Sequence, residues 1–330
     1  MALSKVNPNL VQNFGRRNLL INGDFQVNQR GDGSGVGNAG YVGVDRWRAY
    51  ISTSSTVNFV QQTFANGHSD VNRNLRHYLK FDWLGTGSAQ TKSLTQKIED
   101  VNTGNGQKVT VSFWGRTEQA DDCVIKLVQV FGSGGSSTVD HASGTIDLTT
   151  SWKYFTHTFD VTSTSGKTAG TGNNLSLEFV FGPATLNSYF EVTGVQLELG
   201  DKASDFEHRT YEDQLADCQK YYYQISGTDR LVGYAFAWNT SEINVELQLP
   251  QVLRGSPTLG FSSGTNHFVF SPYDAYFSTF TAGQFWAADI GMRINLYKSG
   301  GGFSSSITQG KSGYVRLMHA TAKITVDAEL

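Results

Sequence analysis

Apolar and polar residues alternate with a period of two in many short segments of this chain. From Lys108 to Phe113 every second residue is apolar, and the same alternation runs from Asn174 to Phe181. Because successive side chains of a strand point to opposite faces of its sheet, this pattern predicts half-buried strands. Turn-rich stretches separate these segments at 31–40, 85–87, 104–106, 132–137 and 163–174. Strands at that spacing predict a β-sandwich and argue against a parallel α/β sheet.

The alternation changes parity near residue 190. Phe190 and Val192 lie in one phase, and the next apolar residues lie in the other phase, at 195, 197 and 199. One extra residue at Thr193-Gly194, which is a β-bulge, would return all five apolar side chains to the same face. We therefore predict one long, bulged strand in this region.

One strong helix signal begins at Ser204. Residues Ser204 to Glu207 match a capping box, in which the side chain at each end satisfies a backbone donor that the first helical turn leaves open. Four residues then follow at intervals of four, three and four, as one face of a helix requires: Tyr211, Leu215, Cys218 and Tyr222. Two interpretations of this stripe stay open, packing against a neighbouring sheet or a short self-association seam between chains.

The period-two pattern returns after this helix. Residues 242–249 alternate, and Pro250 closes that strand because proline lacks the backbone donor of a sheet ladder; residues 322–330 alternate again. The chain is therefore predicted to be all-β, with two β-sandwich modules and a short linking helix. The boundaries we expect are an N-terminal attachment arm at 1–17, a first module at 18–200, the linking helix at 201–223 and a second module at 224–330.

Composition narrows the classes of partner. Charged residues make up 17% of the chain and the formal net charge is −3, so bulk attraction to nucleic acid is not expected. No apolar run approaches the ~20 residues of a membrane span, so we expect no membrane insertion. Cys123 and Cys218 lack the spacing of a metal site. We expect both to be thiols, made in a reducing cytoplasm.

Motifs of catalysis are absent from the sequence. There is no nucleophile elbow, no zinc-protease motif and no phosphate-binding loop, and the seven histidines are scattered. Adjacent carboxylates such as Asp121-Asp122 would point to opposite faces of a strand, so they cannot act as an acid/base pair. A glycosidase site assembled from distant carboxylates stays open as an alternative. We expect a protein that is not an enzyme.

The first module resembles a known fold family. Residues 18–25, followed by Asp45-Arg46-Trp47, resemble the opening of jelly-roll carbohydrate-binding modules, and aromatic positions continue the likeness to about residue 200. Such modules often hold a calcium ion between the N-terminal segment and the last strand. Gln26 and Thr193-Gly194 stand where acidic residues are common, which removes hard oxygen ligands. We therefore expect no cofactor and no tight calcium site.

A second resemblance covers the linking segment. Residues 195–200, 206–209 and 218–222 are similar to a junction found in bacteriophage tail-fibre-like proteins, and residues 249–258 and 327–330 are similar to the domain that follows it. This resemblance implies a virion protein, assembled in the bacterial cytoplasm as a homotrimer. It also implies contact with other virion proteins through the N-terminal segment and with a host-surface glycan.

Aromatic residues supply the candidate binding sites. The resemblance places Trp47, Trp114 and Trp152 in the core. Trp83, with Tyr78 beside it, is a candidate for stacking on the apolar face of a sugar ring. The second module has more aromatic residues than one core needs, which suggests a surface or subunit contact. Its candidate receptor-facing residues follow turn-rich sequence: Tyr273, Asp274, Tyr276, Phe277 and Trp286.

These observations favour a tail fibre or receptor-binding protein that attaches to a host-surface glycan without catalysis. Two alternatives stay open. In one, the chain is a capsid decoration, head fibre or tail-tip component whose aromatic residues pack only against partner chains. In the other, it is a glycan depolymerase.

Overall fold

The chain is all-β, as the alternation predicts. The computed structural model describes residues 16–37, 40–51, 56–72, 74–84, 91–118, 121–182, 188–271, 273, 275–277, 280–288, 291–298 and 307–330. Within these ranges, every regular element except one helix is a β-strand. The chain divides into two compact units: the first runs to Gln214 and also includes Leu330, and the second spans Leu215–Glu329. This division falls inside residues 201–223, the predicted linking segment.

The first unit is a jelly-roll sandwich of two antiparallel sheets. Its strands are β1 (Gly33–Gly37), β2 (Arg48–Ile51), β3 (Thr56–Thr63), β4 (His77–Leu84), β5 (Lys92–Glu99), β6 (Lys108–Thr117), β7 (Asp121–Val130), β8 (Val139–Leu148), β9 (Lys153–Asp160), β10 (Asn174–Phe181) and β11 (Ser188–Leu199). The six-stranded sheet has the order β1-β3-β4-β11-β6-β9, and the five-stranded sheet has the order β2-β5-β10-β7-β8.

The alternating apolar residues of both sheets meet in one core. Phe113 on β6 and Phe179 on β10 are fully buried, and their ring centroids lie 5.0 Å apart in edge-to-face contact. Replacing such a buried phenylalanine by alanine costs about 3–5 kcal/mol, since both the burial and the packing are lost. The period-two prediction for these strands is confirmed.

The predicted bulge in β11 is also confirmed. The register of β11 against β6 shifts between Thr193 and Gln196, and Gly194 adopts φ +59°. The glycine is required twice over, because its backbone is left-handed and a Cβ there would lie 3.0 Å from the side chain of Leu75. Phe190, together with the apolar residues that follow the bulge, then faces the core.

The second unit is also a β-sandwich. Its strands are β12 (Tyr222–Ser226), β13 (Arg230–Ala237), β14 (Glu242–Gln248), β15 (Thr258–Phe261), β16 (Phe268–Ser271), β17 (Ala275–Phe277), β18 (Phe280–Ala288), β19 (Gly291–Lys298), β20 (Ser312–Leu317) and β21 (Lys323–Asp327). They form a three-stranded sheet, β12-β21-β15, and a seven-stranded sheet, β17-β16-β20-β13-β14-β19-β18. Apolar residues of both sheets, including Val245 and Ile324, share one core.

The helix is shorter than predicted and its cap is a different residue. Helix α1 (Tyr211–Gln219) begins after Thr210, not at Ser204. The Asp213 backbone N–H donates to Thr210 Oγ1 at 3.2 Å, and the Thr210 hydroxyl donates to the Asp213 carboxylate at 2.9 Å. Thr210 therefore caps the helix. The predicted capping box at Ser204 is wrong, because Ser204 and Glu207 bind other partners, described below.

The predicted helical stripe is not a continuous contact surface. Tyr211 is 46% exposed, but Cys218 and Tyr222 are buried, and Tyr222 belongs to β12. Since two of the four residues are inaccessible, a seam built from all four is excluded. The homotrimer stays a prediction.

Two further predictions concern the cysteines and the membrane. Cys123 and Cys218 are both buried thiols, not joined in a disulfide, as predicted. In the described part of the chain, no helix has the length and hydropathy that crossing a bilayer requires.

Candidate functional site

Aromatic side chains cluster on the outer face of the six-stranded sheet. Trp114 on β6 pairs in register with Tyr154 on β9, and their ring centroids lie 5.4 Å apart. Tyr154 is 41% exposed and Trp114 is half-buried. Because Trp114 follows the core residue Phe113 along the strand, its side chain must point away from the core. The expectation that Trp114 lies in the core is therefore wrong.

A groove of about 420 Å³ lies over these two rings, and we call it the aromatic groove. Trp114 and Tyr154 form its floor, together with Ser112 and Gly194. The walls come from two segments of chain: Asn72 and Leu75 on one side, and Ala203, Ser204, Asp205 and Phe206 on the other.

The second wall is held in place by two side chains of β11. Glu198 accepts hydrogen bonds from the Ser204 backbone N–H at 2.8 Å and from the Ser204 hydroxyl at 2.7 Å. Gln196 accepts from the Glu207 backbone N–H at 2.8 Å. Glu207 in turn accepts from the backbone N–H groups of residues 17 and 18. These bonds hold residues 203–207 extended, which is why no helix begins there.

The first wall is held by a small apolar cluster of its own. Phe64, Val71 and Leu75 are buried together on the outer face of the sheet, and Trp114 and Phe206 pack against them. This cluster is separate from the main core. Both walls are therefore set before any ligand arrives, which lowers the entropic cost of binding.

Two further aromatic residues flank the groove. The rings of Tyr78 and Trp152 meet edge-to-face at 5.5 Å, and the Arg116 guanidinium lies 5.1 Å from the Trp152 ring centroid. Arg116 also pairs with the nearly buried carboxylate of Glu191. Burial, and then the charge of Glu191, raise the pKa of Tyr78 above its ordinary value. Trp152 is thus a surface residue of this face, and the expectation that it lies in the core is wrong.

The structure separates Trp83 from Tyr78, its neighbour in the predicted sugar site. Trp83 is 2% exposed and packs in the core against Phe81 and Phe181, at centroid distances of 5.6 and 5.0 Å. A sugar ring cannot reach this side chain, so its proposed stacking role is corrected. Of the three core tryptophans predicted from the resemblance, Trp47 is the one that is buried in the core.

The receptor-facing residues predicted in the second unit differ in how exposed they are. Tyr276 is 44% exposed, whereas Tyr273 packs against Phe270 at 5.4 Å and is half-buried. Asp274 lies outside the described residues. The backbones of Phe277 and Trp286 belong to β17 and β18, and their side chains lie outside the description. Tyr276 stays a candidate contact.

The positions that the resemblance assigns to a calcium ion do not fit one. The Gln26 amide donates to the backbone oxygen of Arg209, and the Thr193 hydroxyl donates to the backbone oxygen of His77 at 2.6 Å. Neither side chain carries the charged carboxylate oxygens that favour a tight calcium site. No group of three or more His, Cys, Asp or Glu suited to a metal ion occurs in the part of the chain that the structure describes.

The outer face of the five-stranded sheet has a different character. Tyr50, at 39% exposure, is its exposed large aromatic residue, and Lys126 pairs there with Asp140 at 3.2 Å. Burial raises the pKa of Glu178 on β10, against the opposing charge of Lys126. The described residues of this face offer charged groups but no aromatic pair, so the aromatic groove is the stronger candidate for recognising a ligand with apolar faces.

Sequence reasoning did not single out Trp114 or Tyr154 as binding residues. The signal that could have found Trp114 was its parity, since Phe113 was already assigned to the core. Nothing in the sequence placed Tyr154 beside it, because that pairing depends on the register of β6 against β9.

Comparisons with known proteins identify no family. No family model and no curated protein matches the sequence. Among solved structures, a family 11 carbohydrate-binding module of Clostridium thermocellum, in complex with a mixed-linked tetrasaccharide, is 16% identical; the alignment covers 53% of this chain and 100% of that one, with TM-score 0.32. The N-terminal cellulose-binding domain of a Cellulomonas fimi glucanase is 18% identical over 38% and 80%, with TM-score 0.30.

A bacteriophage protein also matches. The enzymatically active domain of tailspike protein 4 from bacteriophage CBA120 is 11% identical, over 47% of this chain and 19% of that one, with TM-score 0.34. At such identities and TM-scores, none of these likenesses carries an argument about ligand or activity. The sandwich fold is supported by the sheets described above, and the candidate site is supported by its own geometry.

Proposed function

We propose that this protein binds a glycan without cleaving it, and that the aromatic groove of the first unit is the binding site. One observation carries the proposal: Trp114 and Tyr154 form an accessible aromatic floor between two walls that mix apolar and polar side chains. The volume of about 420 Å³ lies within the ~300–1,000 Å³ typical of ligand sites.

The chemistry of the groove suits a sugar. The apolar face of a pyranose ring packs against an aromatic ring, while its hydroxyls need hydrogen-bond partners around the edge. The Asn72 amide and the Asp205 carboxylate are exposed along the groove and can supply them, and Ser112 lies buried in its floor. We propose binding and not catalysis, because the described lining residues include one carboxylate where glycoside hydrolysis ordinarily uses two.

Alanine substitution of the floor tests the site. Trp114→Ala and Tyr154→Ala should each weaken glycan binding at least tenfold, about 1.4 kcal/mol, because the stacking surface is lost. Binding is measured by calorimetry against the best ligand from an array of bacterial capsular and lipopolysaccharide glycans. Tyr50→Ala is the matched control, since Tyr50 is as exposed as Tyr154 but lies on the other sheet. Equal losses in the three variants, or no array ligand for the folded protein, would refute the groove.

We also propose that the protein acts on a virion, as a host-attachment protein of the tail-fibre type. The resemblance at residues 195–222 supports this placement, with residues 1–17 as the attachment arm and a homotrimer as the working assembly. Immunogold labelling of phage particles should mark the tail. Label confined to the head would instead favour the capsid-decoration alternative, and unlabelled particles would contradict both.

A separate observation favours assembly as a second function. In the second unit, Leu231, Tyr234 and Trp238 are 51%, 73% and 52% exposed, which is unusual for large apolar side chains near one strand. We propose that this surface, along β13 and just beyond it, contacts another copy of the chain. Light scattering should give a trimer mass that Tyr234→Ser with Trp238→Ser reduces. A monomer at micromolar concentration would contradict the contact.

A further inference from the structure

A second cavity lies in the first unit, and its described lining residues are all of polar or charged types. Its volume is about 380 Å³, and we call it the polar pocket. The residues that line it are Asp24, Gln26, Asn74, Arg76, His77, His208 and Arg209. No aromatic carbocycle is among these described lining residues, so the pocket contrasts with the floor of the aromatic groove.

The polar pocket continues from the aromatic groove along two shared segments of chain. Leu75 lines the groove while Asn74 and Arg76 line the pocket. On the other side, Phe206 lines the groove and His208 lines the pocket, and their ring centroids lie 5.1 Å apart. An extended chain advances ~3.3 Å per residue, so these two positions are about 7 Å apart. The groove and the pocket therefore border the same two segments of chain.

The charge of the pocket favours an anion. Arg76 and Arg209 contribute two guanidinium groups, and Asp24 is the one acidic side chain among its described lining residues. Asp24 is 9% exposed, and it accepts a hydrogen bond from the Gln214 side chain at 3.4 Å. Arg209 lies close enough for its charge to act on this carboxyl, whereas Arg76 is exposed to solvent.

The histidines of the pocket can act as neutral donors. Burial lowers the pKa of His77, and the neighbouring Arg76 lowers it further; burial likewise lowers the pKa of His208. Both imidazoles are therefore less readily protonated than a free histidine side chain. A neutral imidazole still carries one N–H that can donate to an oxygen of a ligand.

We propose that the glycan is acidic, and that the polar pocket holds the carboxylate of a uronic-acid unit adjacent to the unit stacked over Trp114. This inference rests on the proposed glycan function of the groove. A guanidinium presents planar, paired donors that match a carboxylate, which a neutral sugar lacks. The groove would supply affinity for the sugar ring, and the pocket would select the charged chain.

Paired glycans distinguish this inference from the proposed function itself. The array carries acidic bacterial polysaccharides, each beside its carboxyl-reduced form, in which only the carboxylate is lost. We expect the strongest signals from acidic chains, falling at least tenfold on reduction. Equal binding to both forms would contradict the proposal of an acidic ligand but would leave the proposed binding in the aromatic groove intact. No binding to either form would overturn both.

Substitutions in the pocket provide the second arm. Arg76→Gln should weaken binding of the acidic chain about tenfold and leave binding of its reduced form unchanged, whereas Trp114→Ala should weaken both. Arg48→Gln, which removes the same charge from the other sheet, is the matched control. If Arg76→Gln and Arg48→Gln weaken the acidic chain equally, the effect is one of overall charge and the pocket assignment fails. Thermal unfolding of each variant confirms that it folds.

Discussion

At the scale of single residues, the buried carboxyl of Asp24 gains or loses its proton within the pH range commonly used for folding experiments. Burial raises its pKa from 3.8 to about 6, although its own backbone N–H, that of Gln26 and the charge of Arg209 act in the opposite direction. Between these two pKa values the folded chain holds a proton that the unfolded chain has released. The contribution of Asp24 to stability therefore falls as pH rises from about 4 to about 6.

This linkage predicts the behaviour of Asp24→Asn. The variant lacks the cost of a buried carboxylate, so relative to the natural chain its free energy of unfolding should rise between pH 4.5 and pH 7.5. The expected change is about 2 kcal/mol, since two pKa units correspond to ~2.7 kcal/mol before relaxation. Denaturant titrations at both pH values measure it. If the two proteins differ in free energy of unfolding by the same amount at both pH values, the Asp24 carboxyl is not desolvated.

At the scale of elements, the segment between β11 and α1 decides the shape of the groove. It resembles a helix start in sequence but is held extended by Gln196 and Glu198, whose side chains take up its backbone and hydroxyl donors. The helix begins where those partners end, and Thr210 supplies its cap.

Two cap substitutions should therefore differ in effect. Thr210→Ala should destabilise the protein by about 1 kcal/mol, the usual value of an N-cap. Ser204→Ala should leave α1 intact, because Ser204 bonds to Glu198 instead, and should loosen the groove wall. Hydrogen exchange of the amides of residues 213 and 214 reads out the helix start. Faster exchange of these amides in Ser204→Ala than in Thr210→Ala would show that Ser204 caps the helix, as the capping box at residues 204–207 predicts.

The strands of both sandwiches were largely predictable from the period-two alternation, because alternating apolar residues show which face of a strand is buried. That pattern predicted Phe113 on an apolar strand face and the bulge at Thr193-Gly194, and the parity of Trp114 is that of an outward side chain. Motif resemblance pointed the other way for Trp114 and was wrong. The partners of Ser204 and Tyr154 could not be predicted, since both depend on contacts between elements that the alternation leaves open.

At the scale of the whole molecule, the two units carry different kinds of exposed aromatic surface. In the first unit, Trp114 and Tyr154 floor a walled groove that continues into a charged pocket. In the second, Leu231 and Tyr234 border a groove beside β13, and Trp238 is exposed just beyond the end of that strand. We therefore propose that the first unit recognises the glycan and that the second unit contacts other copies of the chain.

The central claim, that the glycan binds over Trp114 in the aromatic groove, is tested most directly by finding which tryptophans the bound glycan contacts. The chain has six: Trp47, Trp83, Trp114, Trp152, Trp238 and Trp286. In a nitrogen-15 NMR titration with the bound glycan, the indole signal of Trp114 should shift most and that of Trp152 should follow, while the two core indoles and the two of the second unit stay in place. Saturable binding with shifts confined to Trp238 and Trp286 would contradict it.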